Sequence, residues 1–288
     1  MSNLRLSAKY PQKRAFITGA GSGLGLAFAK ALAKDGWTLG ITDINQETLD
    51  AAIAEVKASG GTPTGYVFDV ANYSEFENAV KNFTQKYDGI DIGINNAGIG
   101  CGGMFDEVPI ETFRKVIDTN LMGVANGCHL FVPNMQQQRH GHILNIASAA
   151  GFVTAPRMSA YSTSKAGVIA LSECLRSELS DRNILVSVLC PTYVRTNIGR
   201  DCIGAEAEKK YSQMLIDDSP LSADGVAHTA LKNMAEGKLY IVLPNDARFL
   251  WRLKRFMPER YSRLIKQVTD KKIESLAAKI GKPENRGL

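Results

Sequence analysis

The sequence is poor in the residues that build cross-linked or metal-dependent proteins. Five cysteines occur in 288 residues, Cys101, Cys128, Cys174, Cys190 and Cys202, and no two stand in CxxC spacing. An odd, scattered set argues against both a disulfide framework and a zinc centre, so no metal is expected. Histidine is equally sparse, at four. His140 and His142 flank a single glycine, which reads as a solvated turn. No apolar run approaches the roughly 20 residues that span a bilayer. The stretch from Met1 to Lys13 is polar and lacks the apolar centre of a secretion signal, so a cytoplasmic location is expected. Charge of one sign does not dominate either. The formal net charge is +5, which would attract nucleic acid only if clustered on one face, and no nucleic-acid partner is expected.

What is present is ordinary apolar material, 44% of the chain, together with 26 glycines. Short β-branched runs alternate with longer helical stretches. Strands are expected at Ala15–Thr18, Trp37–Thr42, Tyr66–Phe68, Ile90–Ile94, His142–Ala147, Ile184–Leu189 and Leu239–Leu243. Helices are expected at Leu24–Lys34, Gln46–Ser59, Ser74–Tyr87, Glu111–Gln137 and Ala160–Ser180. This alternation predicts an α/β fold: a doubly wound parallel sheet, a Rossmann-type three-layer αβα sandwich. The domain reading is an extension over 1–13, one catalytic domain over 14–245 and a basic helical tail over 246–288. Within the domain, 197–219 would cover the substrate.

The first strand runs into Thr18-Gly19-Ala20-Gly21-Ser22-Gly23-Leu24-Gly25 and then a helix. Glycines there permit a tight turn and a close approach of backbone to a pyrophosphate, which the helix N-terminus favours electrostatically. Asp43 closes the second strand about 20 residues on. A carboxylate at that place accepts the adenosine ribose hydroxyls and repels a 2′-phosphate, which favours NAD over NADP. The alternative role for Asp43 is a cap for the helix opening near Asn45.

With these motifs in hand, the chain resembles the single-domain members of the short-chain dehydrogenase/reductase family. TGxxxGxG is met by Thr18, Gly19, Gly23 and Gly25; Asp69-Val70 follows the third strand, and Asn95-Asn96-Ala97-Gly98 the fourth. Asn120 lies in the next long helix, Ser148 closes the fifth strand, and Tyr161-Ser-Thr-Ser-Lys165 opens the helix after it. Pro191 and Thr196 follow the sixth strand. One departure is Pro191-Thr192-Tyr193 where many members have Pro-Gly. The resemblance implies an NAD-dependent oxidoreductase acting on CH–OH groups. It implies cofactor contacts from Gly19, Gly21, Ser22, Gly23, Leu24, Gly25, Asp43, Asp69, Val70, Asn96, Ala97, Gly98, Tyr161, Lys165, Pro191, Val194 and Thr196. It also implies pairing into a homodimer or homotetramer.

The implied catalytic set is Asn120, Ser148, Tyr161 and Lys165. Tyr161 and Lys165 are four apart, on one helix face. A lysine ammonium there, together with the positive nicotinamide of NAD, is expected to lower the phenol from its usual value near 10 and fit Tyr161 for general acid/base work. Ser148 would hold the substrate oxygen, and Asn120 a water leading from Lys165. Substrate contacts are expected from Ser148, Phe152, Met158, Tyr161 and Tyr193, with Ile99, Cys101, Ala149 and Val153 nearby. These are mostly apolar, so a lipophilic secondary alcohol or ketone is expected. The alternatives are an NADPH-dependent ketoreductase and a catalytically silent NAD-binding regulator.

The tail carries Phe249, Leu250, Leu253, Phe256, Met257, Tyr261, Leu264 and Ile265 at helical spacing, with Arg248, Arg252, Lys254, Arg255, Arg260, Arg263 and Lys266 among them. Packing on the body, on a neighbouring subunit or over the active-site mouth is the preferred reading, and contact with an anionic membrane surface is the alternative. Pro258 should break or start a helix there, shortening any continuous membrane face.

Overall fold

The computed structural model describes residues 5–199, 202–204 and 206–280. Parts of the expected extension, cover segment and tail therefore lie outside the described residues. Seven parallel strands form one sheet in the order β3-β2-β1-β4-β5-β6-β7: β1 (Arg14–Ile17), β2 (Thr38–Asp43), β3 (Thr62–Val67), β4 (Ile92–Asn95), β5 (Gly141–Ile146), β6 (Ile184–Pro191) and β7 (Tyr240–Leu243). β3 begins four residues before the aromatic run that marked it in the sequence, because Thr62 to Gly65 pair with β2 along their length.

The helices are α1 (Arg5–Lys9), α2 (Gly23–Ala33), α3 (Gln46–Ala58), α4 (Tyr73–Tyr87), α5 (Ile110–Ile117), α6 (Gly123–Gln138), α7 (Ala150–Val153), α8 (Ser159–Glu178), α9 (Glu206–Asp217), α10 (Ala223–Ala235), α11 (Asn245–Phe256) and α12 (Pro258–Ile280). On one face of the sheet, Phe28 and Leu32 of α2, Leu49 and Val56 of α3 and Leu231 and Met234 of α10 close a core with Ile17, Leu39 and Ile94. On the other, Phe76 and Phe83 of α4 and Phe131 of α6 surround Phe16 at ring distances of 5.5–6.0 Å. Strands buried on both faces explain their continuous apolar runs. The layers are those of the Rossmann-type sandwich.

The helix expected from Glu111 to Gln137 is interrupted. Asp118–Met122 form a π turn between α5 and α6, a local widening frequent at functional sites, and Asn120 sits on it.

The reading of His140 and His142 as a solvated turn is corrected. His142 is a β5 residue with no exposure, and its Nε2 lies 2.8 Å from Ser187 Oγ. Burial, with Lys9 and Arg176 adding like charge, drives its pKa down to about 3. His140 Nε2 meets Asp91 at 2.9 Å, and Arg14 pairs with the same carboxylate at 2.9 Å. Burial alone would raise the Asp91 pKa, but its hydrogen bonds from Arg14 and His140 outweigh that and hold it low. Both groups make the fold acid-labile. The unfolded chain protonates His142 near pH 6.5 and the folded one does not, so stability is lost as pH falls from there towards about 3. Between about pH 7 and pH 5 the His142 contribution should fall by about 2 kcal/mol. Urea titrations at the two values should show the drop, and His142→Gln should flatten it.

Candidate active site

The candidate site lies along the C-terminal ends of β1, β2, β4, β5 and β6, where the strand order reverses between β1 and β4. In open α/β sheets that crevice is where ligands bind. The chain leaves β1 through Gly19, whose φ of +62° a side chain would strain. A Cβ on Gly19 would stand 2.7 Å from Ala97 Cα, and one on Gly25 would stand 2.2 Å from the Gly19 carbonyl oxygen. Thr18 and Asn96 fasten this turn to the β4 end. Thr18 Oγ1 accepts from the backbone N–H groups of Asn96 and Ala97 at 3.0 and 3.1 Å. Asn96 Nδ2 donates to the carbonyls of Thr18 and Gly19 at 3.0 and 2.9 Å. Ser22 precedes α2 without a side-chain cap, so the first N–H groups of that helix have no side-chain cap from it. Gly25→Ala should therefore destabilise the fold by about 1–3 kcal/mol, because backbone rather than a flexible side chain must move. Urea titration of the variant would show it, and an unchanged midpoint would remove this packing role for the glycine.

Asp43, at the end of β2, accepts from the N–H groups of Gly21 and Asn45, both at 3.1 Å. Capping of α3 falls instead to Asn45, whose side chain accepts from Thr48 N at 3.0 Å. Asp69 Oδ1 accepts from Ala71 N at 2.9 Å, and Val70 packs so closely on α6 that a Cβ on Gly123 would meet it at 2.6 Å. Thr196 approaches the glycine turn from the far side, 3.2 Å from a Cβ built on Gly23. Val194 is buried beneath it.

Four expected catalytic side chains converge. Ser148 follows β5; its Oγ accepts from Ala150 N at 3.1 Å and donates to the Pro191 carbonyl at 3.3 Å. Close to it lies the phenolic hydroxyl of Tyr161, near the start of α8. Lys165, one turn on and 3% exposed, puts Nζ 5.7 Å from the Tyr161 ring centre and donates to the Ile146 carbonyl at 2.8 Å. Asn120 clamps the loop after β4: its side chain accepts from Ile99 N at 2.8 Å and donates to Ile99 O at 2.9 Å. Gly98 separates it from the lysine, and a Cβ there would meet Asn120 Oδ1 at 3.1 Å and Lys165 Nζ at 3.5 Å.

For Tyr161 the protein alone sets the opposite balance, without the nicotinamide charge that the expected lowering also calls on. Burial of its hydroxyl pushes the pKa up to about 12, with the Ser148 hydrogen bond pulling down and Cys202 adding to the rise. Burial brings Lys165 down to about 8. The lysine stands beside the ring and bonds a carbonyl, which reduces its effect on the phenolic oxygen. In the protein alone, the Tyr161 hydroxyl stays protonated at neutral pH.

Around this centre, Met158 precedes α8 and Tyr193 is half-buried, its carbonyl accepting from Ser219 Oγ at 2.5 Å. Phe152 of α7 turns to the tail, stacked on Trp251 of α11 at 5.5 Å. Trp251, which the apolar spacing of the tail does not include, stands one helical turn from buried Ala247. The segment after β6 meets the loop after β4 as a short parallel bridge, Cys101 opposite Ile203. Cys202 thus comes near Tyr161, a neighbour that no motif marked.

The sequence profile of the short chain dehydrogenase family matches residues 13–206. The chain belongs to that family. It is 38% identical over 198 residues to "Probable oxidoreductase EphD" of Mycobacterium tuberculosis, a match covering 67% of this chain and 33% of that protein. It is 36% identical over 184 residues to the 3-oxoacyl-[acyl-carrier-protein] reductase FabG of Thermotoga maritima, covering 64% of this chain and 75% of FabG. The crystal structure of a short chain dehydrogenase/reductase from Burkholderia phymatum in complex with NAD superposes with a TM-score of 0.82 at 30% identity, covering 86% of this chain and 94% of that one. The chain thus spans a third of the length of the first of these relatives.

Proposed function

We propose that this protein is an NAD-dependent oxidoreductase that interconverts a secondary alcohol and a ketone on a lipophilic small molecule. The observation that carries the reading is the Tyr161 hydroxyl, close to Ser148 and flanked by buried Lys165, beside a glycine turn too tight for side chains. The turn fits a dinucleotide: a Cβ on Gly19, Gly21 or Gly25 would strike protein atoms within 2.7 Å, so the backbone presents itself bare to a pyrophosphate. Asp43 would take the adenosine ribose, Asp69 and Val70 the adenine side, and Lys165 with Pro191, Val194 and Thr196 the nicotinamide end. When bound, the nicotinamide supplies the hydride acceptor or donor. The Burkholderia relative, solved with NAD, supports that cofactor.

The chain's own residues handle the oxygen. Ser148 would donate to the substrate oxygen and fix it against Tyr161. Tyr161, protonated in the protein alone, would give its proton to a carbonyl oxygen that receives a hydride at carbon. In the reverse direction it would take the alcohol proton as the hydride leaves. Asn120 would hold the Ile99 loop and Lys165 side of the site open to a proton-carrying water. Met158 and Tyr193 would form the apolar wall, with Phe152 behind it, stacked on Trp251. We further propose one catalytic domain over 14–245, with 197–219 as a substrate cover, and a homodimer or homotetramer. A screen of secondary alcohols with NAD and of ketones with NADH, followed by cofactor absorbance, tests the proposal. Turnover of aliphatic or cyclic substrates is expected, and absence of turnover across the panel would favour the silent-regulator reading.

A further inference from the structure

Helix α11 has two apolar faces. One is used by the body: Ala247 is 1% exposed, Trp251 packs on Phe152 and Tyr240 at 5.5 and 4.8 Å, and Lys254 Nζ donates to Thr154 Oγ1 at 2.9 Å. At 3.6 residues per turn, Phe249, Leu253 and Phe256 fall on the opposite side. Phe249 is 65% and Phe256 82% exposed. Tyr261 of α12 docks through its hydroxyl on the Val153 carbonyl at 3.0 Å, and beyond it Leu264 and Val268 emerge half-exposed.

Charge gathers on the same surface. Between Asn245 and Lys271 stand eight basic side chains and three acidic ones, a surplus of five that equals that of the whole chain. Arg248, Arg252, Arg255, Arg260 and Arg263 are all exposed. Among the described residues, no helix is long and apolar enough to cross a membrane.

We propose that this outward face of α11 and the start of α12 seats the protein on an anionic lipid bilayer. Phenylalanines seven residues apart would enter the interface between headgroups and acyl chains, and the flanking arginines would meet lipid phosphates. A second copy of this chain fits worse, because an isologous contact would bring two positive surpluses together. One helix diameter, about 10 Å, separates this face from the Phe152–Thr154 turn that follows Ser148.

Co-sedimentation of the full chain with vesicles is the test. Vesicles containing phosphatidylglycerol should bind at least about tenfold more protein than pure phosphatidylcholine, and binding should weaken as salt rises. F249E/F256E should lose that binding while keeping its melting temperature and NADH affinity, and R248E/R252E should lose it as well. No binding to anionic vesicles overturns the proposal, as does binding that both variants retain. If wild type ignores vesicles and F249E/F256E changes the oligomeric state, the face belongs to a second copy and the proposal fails.

Discussion

Tyr161→Phe is expected to lower kcat by roughly 10²–10⁴-fold, the range for a positioned general acid or base. It should leave NADH affinity within a factor of about two, because the change removes one oxygen and keeps the ring. At about 1.4 kcal/mol per decade this is about 3–5 kcal/mol of transition-state stabilisation. The effect should fall on kcat more than on KM, since the phenolic proton is needed only while charge develops on the substrate oxygen. Stability should hold or rise slightly: a hydroxyl whose pKa burial pushes up to about 12 resists ionisation, and its removal leaves Ser148 still bonded to Pro191 and Ala150. Stopped-flow absorbance at 340 nm and a fluorescence titration would separate the two quantities. A variant with wild-type kcat would defeat the mechanism, and one that no longer bound NADH would show that the ring had been displaced.

The parts of this site legible in the sequence are those set by backbone conformation. Gly19 and Gly25 are glycines because nothing larger fits, and spacing alone announces that. Tyr161 and Lys165 share a helix face, so their adjacency was readable from a count of four. Charge at the phenolic oxygen was not. It depends on which carbonyl Lys165 reaches and how deeply both are buried, and Ile146 lies 19 residues away. Asn120 shows a second limit. Its type and position were plain, but the π turn beneath it depends on packing against Ile99 and Ser164 from distant segments. His142 misled because a His-Gly-His step looks like a turn. β5 begins at that glycine, where a Cβ would sit 2.4 Å from Met135, so the strand enters flush against α6. Trp251 and Cys202 come from segments without a motif, and only tertiary contact reveals their places.

Asp43 should make NAD the better cofactor by roughly 10²–10³-fold in kcat/KM over NADP. Its carboxylate is fixed by two backbone donors, Gly21 N and Asn45 N, at 3.1 Å each, so it cannot swing aside without leaving both unpaired. Two unit charges of like sign about 4 Å apart at the protein surface repel by about 4 kcal/mol. Part of that is relieved when a 2′-phosphate shifts or salt screens it, which brings the expected ratio below the full thousandfold. Neither Ser22 nor Ile44 offers a positive charge in compensation. Asp43→Ser should narrow the ratio by at least about tenfold. It should do so partly by weakening NAD, because the variant loses the ribose acceptor and loosens the glycine turn. Initial rates with each cofactor, at two salt concentrations, read the ratio directly. A wild-type enzyme that turns over NADP as well as NAD would refute the assignment, and an Asp43→Ser variant with an unchanged ratio would place the discrimination elsewhere in the pocket.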